Sequence, residues 1–252
     1  MEKKRIINEF ISIPRFEKYV ISCGGDHDLA FELYNSNLLI SKSFYPLLSV
    51  FEVSLRNRLD TILSTYFQDS DWILNQKSGF MSDTKLGKRF ITRQQVHLGE
   101  ESLKRKGVRN VRSQIVTELT LAFWVRLFQG DHFGLLKAEP KKAFLNIPRG
   151  TKRDVIHKTL KTVLDFRNRI YHNEPICFGT DIRLNKPMID LIAVQDVYDS
   201  LYTALFWIGD KALLEWTQNE IDNKSMIYET EKVNEIIKKI GVGKPFTLPI
   251  MP

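Results

Sequence analysis

Apolar residues recur at helical spacing along most of the chain. The clearest stretch is 43–67, where apolar side chains follow one another at steps of three and four residues and predict a long helix; they are Tyr45, Leu48, Phe51, Leu55, Leu59 and Leu63. The same spacing predicts helices over 151–172 and 188–218. Asn173 and Pro175 follow the first of these and should end it, because proline cannot continue a helix.

Weaker patterns predict the remaining elements. A glycine-rich loop leads to Asp28, whose carboxylate is expected to cap a helix that reaches about Ser36. Two further helices are expected over 112–128 and 230–240, a polar loop over 75–88 and irregular structure over 178–187.

The pattern as a whole favours an all-α helical bundle. No alternation of apolar and polar residues recurs often enough to predict a sheet, and several substantial helices are joined by short connectors. Because no repeat or low-complexity segment divides the sequence, we expect a single domain over 1–252, with an N-terminal extension over 1–27 and a C-terminal tail over 241–252.

Composition adds an excess of positive charge to an ordinary globular balance. Apolar residues make up 43% of the chain and charged residues 27%, and 37 Lys and Arg against 30 Asp and Glu give a net charge of +7. This balance argues against a disordered chain and favours acidic partners, nucleic acid above all. The sequence has the pattern of neither a signal peptide nor a membrane span, so a cytoplasmic location without membrane contact is expected.

Cysteine and histidine do not form the patterns of a metal or disulfide site. Cys23 and Cys177 are the only cysteines and imply no disulfide framework. Four of the five histidines, His27, His97, His132 and His157, have no metal-ligand spacing. We expect no cofactor and no metal.

The segment from Arg167 to His172 carries the most informative chemistry. A histidine can transfer a proton near neutral pH, and an arginine offers a permanently charged fork that matches a phosphate. Asn168 can donate or accept a hydrogen bond beside them. These groups suit a ribonuclease in which the 2′-hydroxyl of the substrate is the nucleophile, because that reaction needs proton transfer and positive charge at the pentacoordinate phosphorus.

Spacing alone leaves other interpretations of this segment open. Five residues turn an ideal helix by about 140° net, so Arg167 and His172 converge on one phosphate only if His172 lies in a fraying last turn. A histidine at that place can also simply cap carbonyls and complement the helix dipole, and the arginines can form a solvated face. One histidine cannot serve both sides of a phosphate, but a two-fold dimer would bring two copies together.

Three stretches of the sequence together match one family. They are 43–59 (SFYPLLSVFEVSLRNRL), 115–128 (IVTELTLAFWVRLF) and 166–176 (FRNRIYHNEPI). In this order they resemble the N-terminal, central and signature helices of the Abi-like abortive-infection proteins of bacteria, a branch of the HEPN superfamily. The resemblance covers roughly residues 30 to 215. Asn173 stands where the family often has a second His, and Ala122 where it often has Gly.

The resemblance implies an all-α HEPN fold, a homodimer and metal-independent RNA cleavage in antiphage defence. The family's signature consists of a catalytic Arg, an assisting polar residue and a catalytic His. These roles carry over to Arg167, Asn168 and His172 of this sequence.

Other side chains are candidates for RNA contact. Tyr171 can stack on a base or pack against a neighbouring helix, and the basic run from Lys85 to Arg112 can contact phosphates or form a solvated surface. Arg56 can line an RNA cleft or pair with Glu52. The full set of candidates is Arg56, Arg169, Tyr171, Lys104, Arg105, Lys106 and Arg109.

The expected function is therefore that of an antiphage endoribonuclease with RNA as its substrate. The alternative is a non-catalytic HEPN protein that binds RNA or acts as a scaffold. An antitoxin protein or a regulatory non-coding RNA is a further partner that could hold the activity in check.

Overall fold

Helices account for most of the residues that the computed structural model describes, which are 5–87, 90–109, 111–181, 186–209, 211–219 and 224–247. The α-helices are α1 (Ile13–Ser22), α2 (His27–Phe67), α3 (Trp72–Asn75), α4 (Ile91–Arg105), α5 (Val111–Glu118), α6 (Leu121–Arg126), α7 (Gly130–Leu135), α8 (Arg153–Tyr171), α9 (Ile192–Ile208), α10 (Lys211–Asn219) and α11 (Lys224–Ile240). A π-helix spans Ile7–Ile11, and 3-10 helices span Phe80–Ser82, Thr84–Leu86 and Glu139–Ala143. The mostly helical character predicted from the sequence is confirmed.

One continuous helix, α2, replaces the two helices predicted to begin at Asp28 and near Ser43. Its first turn is capped by Asp26 rather than Asp28, since Asp26 Oδ1 accepts hydrogen bonds from the N–H groups of Asp28 and Leu29 at 2.9 and 3.0 Å. The polar residues Ser36 and Asn37, where the first of these two helices was expected to end, lie within α2, and their side chains are buried.

Two other predicted helices are each divided. The helix expected over 112–128 is interrupted at Thr120, whose extended backbone (ψ 160°) separates α5 from α6. The helix expected over 188–218 forms α9 and α10, with Gly209 after the first of them. It begins at Ile192 rather than at 188, because Met188 and Ile189 lie in a β-strand. Apolar residues flank both breaks, so the sequence pattern does not reveal them.

A short hairpin corrects the prediction of irregular structure over 178–187. Strands β1 (Phe178–Asp181) and β2 (Lys186–Ile189) pair antiparallel, with Phe178 opposite Ile189. Each strand has four residues, one carrying Gly179 and the other Pro187, so neither shows a clear alternation. Gly179 is required here, because a Cβ atom would lie 2.5 Å from Asp190 Oδ2.

Residue contacts divide the chain into two compact units where the sequence indicates no boundary. The terminal unit comprises Met1–Leu47, Asp165–Asp199 and Gln218–Pro252, and the central unit comprises Leu48–Leu164 and Ser200–Thr217. Helices α2, α8, α9 and α10 contribute residues to both units.

Aromatic pairs dominate the core of the terminal unit. The Tyr19 ring of α1 is buried, with its centroid 4.8 Å from that of Phe178 in an edge-to-face contact. Phe44 and Phe166 form a second such pair at 4.9 Å. Each pair contributes about 0.5–1.5 kcal/mol beyond its buried area. Helix α1, which falls in the predicted N-terminal extension, therefore takes part in this core.

The core of the central unit is built around two tryptophans. Trp72 and Trp124 are fully buried with ring centroids 6.3 Å apart, and Trp72 Nε1 donates a hydrogen bond to Asp60 Oδ1 at 2.8 Å. Burial raises the pKa of Asp60, while this hydrogen bond acts in the opposite direction.

Helix α2 is long and apolar enough to cross a membrane by length and composition alone. Core helices of soluble proteins can meet the same criterion. In the terminal unit the α2 residues Leu33, Ile40 and Phe44 are fully buried.

His132 of α7 is a buried histidine in the central unit. It is 6% exposed, and its Nε2 lies 3.3 Å from Thr92 Oγ1. Burial lowers the pKa of His132 to about 4, the charge of Arg126 adds to this effect, and Asp131 opposes it. The imidazole is therefore neutral at pH 7.

We predict that mild acid destabilises the protein through His132. In the unfolded chain a histidine has a pKa of about 6.5, so between about pH 6.5 and 4 the unfolded state binds a proton that the native state does not. The free energy of unfolding should fall through this window, by about 2–3 kcal/mol between pH 7 and pH 4.5 relative to His132→Gln. Denaturant unfolding of both proteins at the two pH values measures this difference.

The exposed residue His27 provides the control, since His27→Gln should follow the wild-type pH dependence. An equal loss of stability in wild type and His132→Gln would contradict the prediction.

Candidate active site at the end of helix α8

Helix α8 ends in a Schellman motif built on Asn173. This residue adopts a left-handed backbone with φ 54°. Its N–H donates to the carbonyl of Ile170 at 3.0 Å, and the N–H of Glu174 donates to the carbonyl of Arg169 at 2.8 Å. Asparagine tolerates this conformation better than most residues. The predicted end of the helix at this place is therefore confirmed, although the last turn is capped rather than frayed.

His172 occupies the C-cap position and presents its side chain to solvent. Its backbone N–H donates to the carbonyl of Asn168 at 2.9 Å, which fixes the residue in the last turn. Within the described ranges, neither the imidazole of His172 nor the amide of half-buried Asn168 forms a hydrogen bond. Both groups are therefore available to a ligand.

The guanidinium of Arg167 lies against the ring of Tyr171. The Arg167 Cζ atom is 4.0 Å from the ring centroid, and Tyr171 is 51% exposed. This cation–π contact between residues four apart contributes about 0.5–1 kcal/mol at an exposed site. This contact with its own helix is neither of the two roles expected for Tyr171 from the sequence.

Arg169 is directed to the chain that follows the helix. Its Nη2 donates to the carbonyl of Pro175, and its Nε lies 3.9 Å from a carboxylate oxygen of Glu174. Burial raises the pKa of Cys177 to about 12, and the charge of Arg169 opposes that rise. This candidate for RNA contact thus holds the chain after α8 against the end of the helix.

Two residues that the sequence analysis missed fix the same segment. The buried Asn37 of α2 accepts hydrogen bonds at Oδ1 from the N–H groups of Ile176 and Cys177, at 2.8 and 3.2 Å. Arg15 of α1 donates from Nη2 to the carbonyl of Asn173 at 3.1 Å. The available signal for Asn37 was its place at helical spacing between Leu33 and Ile40, on the apolar face of the helix.

The remaining candidates for RNA contact lie in a different unit from the α8 segment. Residues 167–172 belong to the terminal unit, whereas the central unit contains Arg56, Lys104, Arg105, Lys106 and Arg109. Lys106 pairs with Glu118 at 2.8 Å, and its hydrogen bond to Glu118 lowers the pKa of that carboxylate. Lys104 and Arg109 are exposed. Lys88 and Arg89, in the predicted basic run, lie outside the described residues.

The end of α8 combines a cation, an amide and an imidazole on adjacent turns of one helix. Arg167 can bind a phosphate and His172 can transfer a proton. Because the last turn is capped rather than frayed, the two side chains of one chain do not meet the condition for reaching the same phosphate. Among the described residues, no group of three or more His, Cys, Asp and Glu side chains could hold a metal ion. Comparisons with protein-family models, curated proteins and solved structures found no match.

We predict that Asn37→Ala destabilises the protein by about 2–6 kcal/mol, because two buried N–H groups lose their acceptor at about 1–3 kcal/mol each. Urea denaturation measures the change. Asn35→Ala is a matched control on the same helix, where the side chain is exposed, and should stay within about 0.5 kcal/mol of wild type. A loss in Asn37→Ala no larger than that of the control would show that the two N–H groups find other acceptors.

Proposed function

We propose that this chain is a metal-independent HEPN-type endoribonuclease that cleaves RNA in abortive-infection defence against phage. The observation that carries the proposal is the end of α8. There an exposed imidazole at a fixed C-cap follows a half-buried arginine and amide at the positions that the family resemblance assigns to catalysis.

In the proposed reaction the 2′-hydroxyl of the RNA attacks the adjacent phosphorus. His172 moves a proton, either from that hydroxyl or to the departing 5′-oxygen. Arg167 stabilises the negative charge of the pentacoordinate phosphorus, and Asn168 orients the phosphate or the imidazole. As the bond from phosphorus to the 5′-oxygen breaks, the products are a 2′,3′-cyclic phosphate and a 5′-hydroxyl.

A second copy of the chain completes this site in the proposal. One imidazole serves one side of the phosphate, so the opposite proton transfer needs another group. A two-fold homodimer would supply His172 of the partner subunit, because such an interface juxtaposes identical patches. Control of the activity in the cytoplasm would fall to an antitoxin protein or a non-coding RNA.

We predict that purified wild-type protein cleaves single-stranded RNA in excess EDTA and that His172→Ala does so about 10²–10⁴-fold more slowly. Product ends are mapped to detect the cyclic phosphate. The exposed His27→Ala is the control and should retain wild-type activity. Cleavage by His172→Ala at the wild-type rate would sink the proposal.

The second candidate function is a non-catalytic protein that binds RNA or acts as a scaffold. The net charge of +7 and the exposed Lys104 and Arg109, which have no partner among the described residues, favour it. RNA binding that is sensitive to salt and unchanged in His172→Ala, with no product from either protein, would select this function.

A further inference from the structure

A cleft in the terminal unit adjoins the proposed catalytic segment. It has a volume of about 600 Å³ and lies among α1, the β1–β2 hairpin and the end of α8. One wall is fixed by a hydrogen bond from Ser22 Oγ of α1 to the carbonyl of Pro187 in β2, at 3.1 Å. Arg169 and Glu174, within the signature segment, form part of its lining. Two of its lining residues therefore flank His172 in the sequence.

Exposed cations line this cleft from two different elements. Lys18 comes from α1 and Lys186 from β2, and within the described part of the chain neither ammonium forms an ion pair or a hydrogen bond. Arg169 adds a third positive charge, which Glu174 partly offsets at 3.9 Å. The two lysines are thus placed to contact an anion that enters the cleft.

The rest of the lining suits a nucleobase rather than a bare phosphate. Apolar surface comes from Phe178, Ile21 and three prolines, and Ile21 is 43% exposed. The carboxylates of Glu17 and Glu174 are exposed acceptors, which suit the amino groups on the edge of a base. The cations thus match the phosphate of a nucleotide, and the acceptors and apolar surface match the edge and the face of its base.

We propose that this cleft binds an unpaired nucleotide of the RNA strand next to the cleaved phosphate, with the base against the apolar wall and the backbone phosphate at Lys18 and Lys186. The inference rests on the proposed function, since it assigns a subsite to the same active site. It makes the protein selective for single-stranded RNA, because a base held in a duplex cannot enter the cleft.

The test measures the binding of a fluorescein-labelled single-stranded RNA of 12 nucleotides, by anisotropy, to full-length protein carrying His172→Ala. Lys18→Ala with Lys186→Ala is added to this background. Lys42→Ala with Lys239→Ala is the matched control, since it removes the same charge from exposed positions of the terminal unit outside the cleft. Circular dichroism confirms that each variant is folded.

We expect the cleft variant to bind at least tenfold more weakly than its parent, and the control less than threefold. The slope of log affinity against log salt should fall by about 0.7 in the cleft variant, for one neutralised phosphate of a single strand. Unlabelled duplex RNA of the same sequence should compete at least tenfold more poorly than the single strand.

Equal losses in the two double variants, or equal competition by the duplex, would overturn the inference. Cleavage by wild type is measured separately, so the two proposals can fail independently. If the wild type cleaves RNA and the cleft variant binds like its control, the proposal about the cleft is wrong and the proposed nuclease function stands. If the wild type does not cleave RNA and binding still depends on the cleft, the nuclease proposal is wrong and the cleft is an RNA-binding site.

Discussion

The buried amide of Asn37 is the interaction on which the candidate site depends. Its oxygen accepts two consecutive backbone N–H groups from the chain that follows α8, so an interior position of α2 determines where that chain runs. The segment is held in this position because each buried N–H group, without this acceptor, would carry its full desolvation cost. The Schellman motif at Asn173 and the hydrogen bond from Arg169 to the carbonyl of Pro175 then fix the residues between this segment and His172.

These contacts give the end of α8 a defined form without using the groups proposed for catalysis. Arg15, Arg169 and Asn37 bind backbone atoms of the segment. His172 and Asn168 leave their side chains open to solvent or a ligand. The residues that fix the segment thus differ from those proposed for catalysis. Substitutions can therefore test the stability of the fold and the proposed catalysis separately.

Sequence patterns predicted the helical class and the end of α8, because both depend on local effects. Periodic apolar residues indicate a helix, and Asn173 with Pro175 indicates its stop. The continuity of α2 could not be predicted this way. Ser36 and Asn37 look like a break, yet their side chains are satisfied by Glu229 and by the N–H groups of Ile176 and Cys177, far away in the sequence.

The hairpin and the cleft were missed for a related reason. Strand β2 contains a proline and β1 a glycine that packs on Asp190, so their pairing leaves no alternating pattern. The cleft is lined by residues from α1, the hairpin and the end of α8, so no single segment of the sequence indicates it. The residues of the candidate site could be identified from the sequence. The residues that hold them in place could not, because they act through contacts between distant segments.

The contact between Arg167 and Tyr171 has an entropic consequence. A free arginine side chain carries roughly 2 kcal/mol of rotamer entropy, which a ligand must otherwise overcome when it immobilises the guanidinium. Here the aromatic ring already restricts that side chain at 4.0 Å, so part of the ordering takes place when the protein folds. Tyr171 therefore restricts the conformations of the Arg167 side chain one turn away. An anion that binds this guanidinium would lose less side-chain entropy than with an unrestricted arginine.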